Sequence, residues 1–161
     1  MEEIRLLVVK CGPYRFGIPA GLVRAVLSAS EIVPLGLPEL PGLTWRDGVL
    51  MPAVGLAPFL GLLSLEEEVY GHGVLIQDGT GPLCFMVDEA LDFVEVPPSA
   101  IVPLPALAVR AMALSGLESA ALMDGLLMII DPILMLGKDR VAELRAAASR
   151  VGESSGSARG L

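Results

Sequence analysis

The chain has 161 residues, 53% of them hydrophobic but only 4% aromatic, and its 19 Asp and Glu outnumber 11 Lys and Arg for a net charge of −8. The apolar share exceeds what a disordered chain carries, and the acidic balance lacks the basic face that displaces counterions from nucleic acid. A mean hydropathy of +0.68 raises the membrane question, but Leu122–Leu136 is broken by Asp124, Asp131 and Pro132, and Ile101–Leu117 by Pro103, Pro105 and Arg110, whereas a spanning helix needs about 20 apolar residues in a row.

The N-terminus opens Met-Glu-Glu, without the basic stretch of a secretory signal, so the expectation is a cytoplasmic protein. Ile4–Lys10 is a short apolar run that stops at the turn signal Cys11-Gly12-Pro13, and Tyr14–Ile18 alternates as the returning strand of a hairpin. Leu22–Leu27 is too short for periodicity to separate strand from helical turn. Ile32–Pro41, with Pro34, Pro38 and Pro41, reads as an ordered loop. Gly48 separates two strand-like runs, and Glu66-Glu67-Glu68 with His72 reads as a solvated loop between two halves.

The second half opens with Val74–Gln77, the turn Asp78-Gly79-Thr80-Gly81 and Leu83–Val87, a strong hairpin pattern. Asp92–Val96 alternates and ends at Pro97-Pro98, and Ser99–Ala108 reads as a proline-broken loop. Leu114–Leu117, Ala120–Met123 and Leu126–Ile130 read as short strands, the last two joined at Asp124-Gly125. Asp131-Pro132 is an N-cap and first-turn pair opening a helix to about Ser149, and residues 151–161 are expected to be a disordered tail. Residues 1–137 hold 6 basic and 16 acidic side chains, residues 138–161 hold 5 and 3; the C-terminal element is therefore of different character.

The order of these pieces repeats. Each half reads hairpin, connecting run, proline loop, then two strands around an Asp-Gly turn, at Asp47-Gly48 and at Asp124-Gly125. The expected fold is mainly β: two small barrels of about five strands packed on each other, because neither half has enough residues for a core of its own.

Chemistry-bearing residues are sparse. Asp88, Glu89, Asp92 and Glu95 are the candidates for acid–base work, but strand periodicity turns the acids outward. His72 is a lone histidine between two glycines, neither metal site nor triad. No serine sits in a GxSxG elbow, and no glycine loop is followed by the Lys and helix of a phosphate cradle. Cys11 and Cys84 lie in apolar runs without CxxC spacing and read as buried, reduced thiols. No catalytic residue, cofactor or metal site is expected. Trp45, the sole tryptophan, stands beside Arg46 near a turn and reads equally as an interface anchor or a barrel-end core residue.

The succession YRFGIP, LVRAVL, a proline loop, GLTWRDGVLMPAVGL, CFMVDEALDFVEVPPSAI and ALMDGLLMIIDPILML resembles the CheW-like family of chemotaxis coupling proteins over Ile4–Leu136. The resemblance implies two five-stranded SH3-like barrels with a C-terminal helix returning onto the first. Subdomain one would span about 14–65 plus helix 132–149, and subdomain two about 73–131, with strand 4–10 near their junction. It implies a noncatalytic adaptor between the cytoplasmic tip of a methyl-accepting chemoreceptor and the regulatory domain of a CheA-type histidine kinase, with receptors docking between the barrels. By position, it points to Val26, Ile32, Val33, Leu43 and Asp47 as groove residues, with Trp45 and Arg46 beside them. Where the family places Asn, Arg and Asp, this chain has Trp45, Asp47 and Gly55, while Gly42, Gly48, Pro52 and Leu56 match. Arg to Asp exchanges five donors for acceptors and reverses the sign. That departure supports a second reading, a diverged accessory module for surface motility or gene regulation that no longer couples an ordinary receptor array. A third reading, from another class, is a small barrel enzyme or ligand binder using Asp88, Glu89 and Asp92, which requires at least two of these acids in a closed pocket.

Overall fold

The computed structural model describes residues 3–12, 14–37, 40–46, 48–56, 71–78, 81–103, 117–122 and 126–159. Ile4–Cys11 (β1) and Tyr14–Pro19 (β2) form the first hairpin, with Leu7 opposite Ile18 and Cys11 opposite Tyr14. One 3-10 turn, Ala20–Leu22, leads to Val23–Ser28 (β3), so the ambiguous run is a strand. A second 3-10 turn, Ala29–Glu31, is held by a reciprocal cap in which Ser28 Oγ accepts from the Ser30 amide and the Glu31 carboxylate accepts from the Ser28 amide. Ile32–Leu37 (β4), Leu40–Arg46 (β5) and Val49–Gly55 (β6) follow as a meander. The second hairpin is His72–Asp78 (β7) with Gly81–Val87 (β8). Then come Glu89–Val96 (β9), a 3-10 turn at Pro98–Ala100, Ile101–Pro103 (β10), Leu117–Leu122 (β11) and Leu126–Ile130 (β12). A short helix, Pro132–Leu136 (α1), precedes a long one, Lys138–Arg159 (α2).

Three expectations change. The proline-rich stretch Ile32–Pro41 is not a loop, because it contains all of β4 and the start of β5. Proline is admitted there because β4 is the last strand of its sheet and pairs with β5 alone, so Pro34 costs no ladder bond on its free side. The same physics admits Pro103 at the end of β10, within the stretch Ser99–Ala108 expected as a loop. The C-terminal helix is not one helix ending near Ser149. It is interrupted at Gly137, whose φ of +88° only glycine adopts without strain, and it continues to Arg159, into the tail expected to be disordered. The turns at Asp47, Gly79-Thr80 and Asp124-Gly125 and the run Leu114–Gly116 lie outside the described residues.

The described strands form two six-stranded sheets. Sheet I runs β10-β11-β12-β2-β1-β9, and sheet II runs β3-β7-β8-β6-β5-β4. Written from β9, sheet I has the same order and the same sense of pairing as sheet II. Its parallel contact, β2 with β12, corresponds to β8 with β6, and every other neighbour is antiparallel. The internal repeat is therefore real, but each repeat surrenders its hairpin. β1–β2 completes the sheet of the second half and β7–β8 that of the first, so boundaries near residues 65 and 73 do not follow the sheets.

The ladders stop short of closed barrels, since β3 and β4 share no pairing, nor do β9 and β10. Each sheet nonetheless curls. Leu27 of β3 and Ile32 of β4, at opposite ends of the strand order, share one buried cluster with Met51, Ala53, Leu75, Cys84 and Met86. In sheet I, Val96 of β9 clusters with Leu6, Val8, Ala121 and Leu127, and Ala100 and Ile101 pack onto it from the other end. Between these two small interiors lies a larger shared core. Leu7, Val9, Phe16 and Ile18 from sheet I meet Leu43, Val54, Val74, Ile76 and Phe85 from sheet II, with Val141, Leu144, Ala147 and Ala148 from one face of α2. Helix α2 lies on β6 and β5, where a Cβ at Gly152 would meet Leu50 Cδ2 at 3.3 Å.

Candidate functional site

The residues singled out for partner contact fall mainly on β4 and β5 of sheet II. Ile32 opposes Thr44, Val33 opposes Leu43, Trp45 opposes Leu50 and Arg46 opposes Val49. Strand alternation sorts them. Thr44 points into the small interior, 1% exposed, and its hydroxyl donates to the Glu31 carbonyl at 2.8 Å. Ile32, directly opposite, is 8% exposed and belongs to that interior, and Leu43 is in the shared core at 6%. Ile32 lies on the opposite face and supports the site from beneath, whereas Leu43 shares the face of Val33 and Trp45 but is covered by the shared core; neither forms the exposed surface. Val33 and Trp45 lie on the outer side at 57% and 59% exposure, and Arg46 is half-buried. Trp45 is thus an outward side chain at the barrel end and not a core residue. Val26, 42% exposed, stands on β3 opposite Val74 of the shared core, at the other end of the strand order. Asp47 lies outside the described residues.

The structure adds exposed neighbours that the sequence did not single out, Leu37 of β4 and Val49 of β6. With Val33 and Trp45 they give the β4–β5–β6 end of sheet II several large apolar side chains in water. Nothing local marks such residues. An apolar side chain on a strand reads as core until the sheet and its cover are known.

The edge strand of the other sheet presents a different surface. On β9, Leu91 and Phe93 are exposed among Glu89, Asp92 and Glu95. The Arg5 guanidinium lies 4.5 Å from the centre of the Phe93 ring and stands opposite Glu95. A hydrogen bond with Glu95, then the charge of that carboxylate, hold the Glu3 carboxyl above its ordinary value.

The acids proposed for catalysis do not converge. Glu89 and Asp92 are exposed, and Asp88 has a structural task, its Oδ2 accepting from the Gly12 amide at 2.6 Å. With Glu89 and Asp92 in water, those two acids do not line a closed pocket of the kind the enzyme reading requires. His72 is a correction as well. It opens β7, half-buried, and its Nδ1 accepts a hydrogen bond from the Ala90 amide at 3.1 Å. The lone histidine thus ties sheet II to β9 of sheet I. Cys11 and Cys84 are buried free thiols. Burial, and then the Asp88 charge, push the Cys11 thiol up to about 12; burial, and then the Glu31 charge, do the same for Cys84, again to about 12. Neither is a ready nucleophile, since the thiolate is the reactive form. Among the described residues no group of three or more His, Cys, Asp or Glu could hold a metal ion, and no helix is long and apolar enough to cross a membrane.

Comparison with known proteins agrees with this geometry. Residues 5–140 match the model of the CheW-like domain. Fifteen solved chains match. One of them, the scaffolding protein TtCheW from Thermoanaerobacter tengcongensis, superposes with a TM-score of 0.70 at 17% identity, over 87% of this chain and 91% of that one. At that identity the likeness is one of fold. No curated protein sequence matches.

Proposed function

The chain belongs to the CheW-like domain family, and from that premise we propose that it is a noncatalytic cytoplasmic adaptor of chemotaxis-type signalling that couples a chemoreceptor tip to a CheA-type histidine kinase. The observation that carries the reading is the family match over nearly the whole double-sheet body, joined to the large exposed apolar side chains Val33 and Trp45 on β4 and β5. Large exposed apolar side chains on a rigid sheet bind a partner by burial and shape, and need no chemistry of their own. Val26, Val33 and Trp45 are the contact residues, Arg46 and Asp47 flank them, and Ile32 and Leu43 hold the strands that present them.

The test is direct binding of the full chain to the regulatory domain of a cognate kinase and to the cytoplasmic fragment of a cognate receptor. Trp45→Ala is expected to weaken partner binding by about tenfold or more, the loss typical of a central aromatic anchor, with unchanged circular dichroism because the side chain is mostly in water. Failure to bind either fragment would end the adaptor reading.

Trp45 and Asp47, where the family places Asn and Arg, favour a second reading, a diverged accessory module in a chemosensory system for surface motility or gene regulation. Asp47→Arg separates the two. Kinase coupling gained by the charge reversal supports divergence, and coupling that is already present and unaffected supports the first reading.

A further inference from the structure

At Asp88 the chain leaves β8 of sheet II and enters β9 of sheet I. Backbone bonds brace that corner from both sides. The Asp88 amide donates to the Lys10 carbonyl of β1 at 3.0 Å, and the Gly71 amide, at the foot of β7, lies 3.1 Å from the Val87 carbonyl and 3.0 Å from that of Asp88. A Cβ at Gly71 would collide with the Asp88 carbonyl, so β7 comes this close only at a glycine. The next residue, His72, adds a brace made by a side chain, its Nδ1 meeting the Ala90 amide at 3.1 Å. An amide nitrogen can only donate, so the ring nitrogen facing it carries a lone pair. The ring is therefore neutral, with its proton on Nε2.

We infer that His72 is a pH-sensitive latch between the two sheets: neutral, it holds the start of β9 to β7, and protonated, it releases it. Protonation turns Nδ1 from an acceptor into a donor, and two N–H groups then face each other. Ala90 is half-buried and packs on the shared core, so its amide has little water to turn to. The charged groups set around the bond come from each neighbouring element. Glu31, after β3, holds the Ser28 amide, and Ser28 is the partner of His72 in the ladder. Asp88 holds the Gly12 amide, and Glu89 stands opposite Lys10 of β1. A charged ring freed from Ala90 thus has carboxylates near it to meet. Histidine as a type changes charge between about pH 5 and 8, carboxylates ordinarily near pH 4, and the backbone braces not at all. The bond requires the neutral ring, so its contribution is present at the alkaline end of that range and is lost as pH falls through it. The latch is independent of the adaptor reading.

The test is NMR on the full chain between about pH 8 and 5 at constant ionic strength, following the His72 Cε1–H shift together with hydrogen exchange at the Ala90 amide. Corrected for the intrinsic exchange rate, protection at Ala90 is expected to fall about tenfold or more as the ring titrates, with the same midpoint. The Asp88 amide, held by the Lys10 carbonyl, should keep its protection and serves as the reference. This wild-type titration carries the test without any variant. His72→Asn places a non-titrating Oδ1 where Nδ1 stands and should keep Ala90 protected across the whole range. His72→Phe removes the acceptor and should leave Ala90 poorly protected throughout. Protection at Ala90 that stays level while the ring titrates, a ring that stays neutral down to about pH 5, or a fall in His72→Asn as steep as in the wild type would each overturn the inference.

Discussion

Gly73 and Thr44 decide how closely sheet II can curl. A Cβ on Gly73 would stand 2.6 Å from Ile32 Cδ1 and 2.8 Å from Cys84 Sγ, so strand β7 reaches its neighbours only without a side chain there. Gly73→Ala is expected to destabilise by about 1–3 kcal/mol through overpacking, and Ile32→Val, which removes the clashing Cδ1, should recover part of that loss in a double-mutant cycle read by urea unfolding. Thr44→Val keeps the shape and deletes the hydroxyl that satisfies the Glu31 carbonyl, at a cost of about 1–2 kcal/mol. The two thiols carry a pH signature. Their folded-state values near 12 lie above the ordinary value of 9.0, so the folded protein holds these protons more tightly than the unfolded chain does. Their stabilising contribution is complete below about pH 8.5 and falls by about 1.4 kcal/mol per pH unit for each thiol as pH rises toward the folded values. Urea midpoints should therefore drop more steeply between pH 9 and 11 in the wild type than in the Cys11→Ala, Cys84→Ala double variant.

The helical elements show which local signals survive folding. Asp131 with Pro132 is legible as a helix start because a carboxylate two and three residues before orphan amides caps them in almost any context, and both bonds form, at 3.1 and 3.2 Å. Asp131→Ala should cost about 0.5–2 kcal/mol, measured by thermal or urea unfolding. The break at Gly137 had the usual signal, glycine after an apolar turn and before a lysine, but an uninterrupted run of helix formers behind it favours a single long helix. The proline-rich strand was illegible for a different reason. Whether proline is tolerated depends on a strand's place in the sheet, and β4 is an edge strand because of pairings between residues far apart in sequence. The candidate site divides along the same line. Trp45 is visible as a residue worth noticing, but alternation only puts Trp45 and Val33 on the face opposite the inward Ile32 and Thr44, and it is the shared core covering Leu43 but not its neighbours that leaves Trp45 and Val33 in water.

For the whole molecule, the exchange of hairpins makes each sheet dependent on both halves of the chain. A fragment ending near residue 56 has β3 to β6 but lacks β7 and β8, the two strands that join β3 to β6 in that sheet, and would leave Met51, Ala53 and Leu27 uncovered. Neither 1–56 nor 71–159 is expected to fold alone. Co-expressed, the two should associate into one complex with the circular dichroism of the intact chain, because every inter-sheet and intra-sheet pairing of the described strands is still available. Independent folding of either fragment would contradict this account. His72, bonding Ala90 across the two sheets, is one of the ties between them, and His72→Phe should cost about 1 kcal/mol by leaving that amide unmet.

Local order was written plainly in the chain. Hydrophobic alternation, Gly and Pro punctuation and the repeated Asp-Gly turns announce short strands, two similar halves and a C-terminal helix, because these patterns reflect steric limits that act within a few residues. Tertiary structure settled what depends on distant partners. It determined which hairpin completes which sheet, which strand sits at an edge and can hold a proline, and which apolar side chains meet water. Burial and pairing are properties of residues brought together from across the chain, and a local pattern carries no record of what will be packed against it.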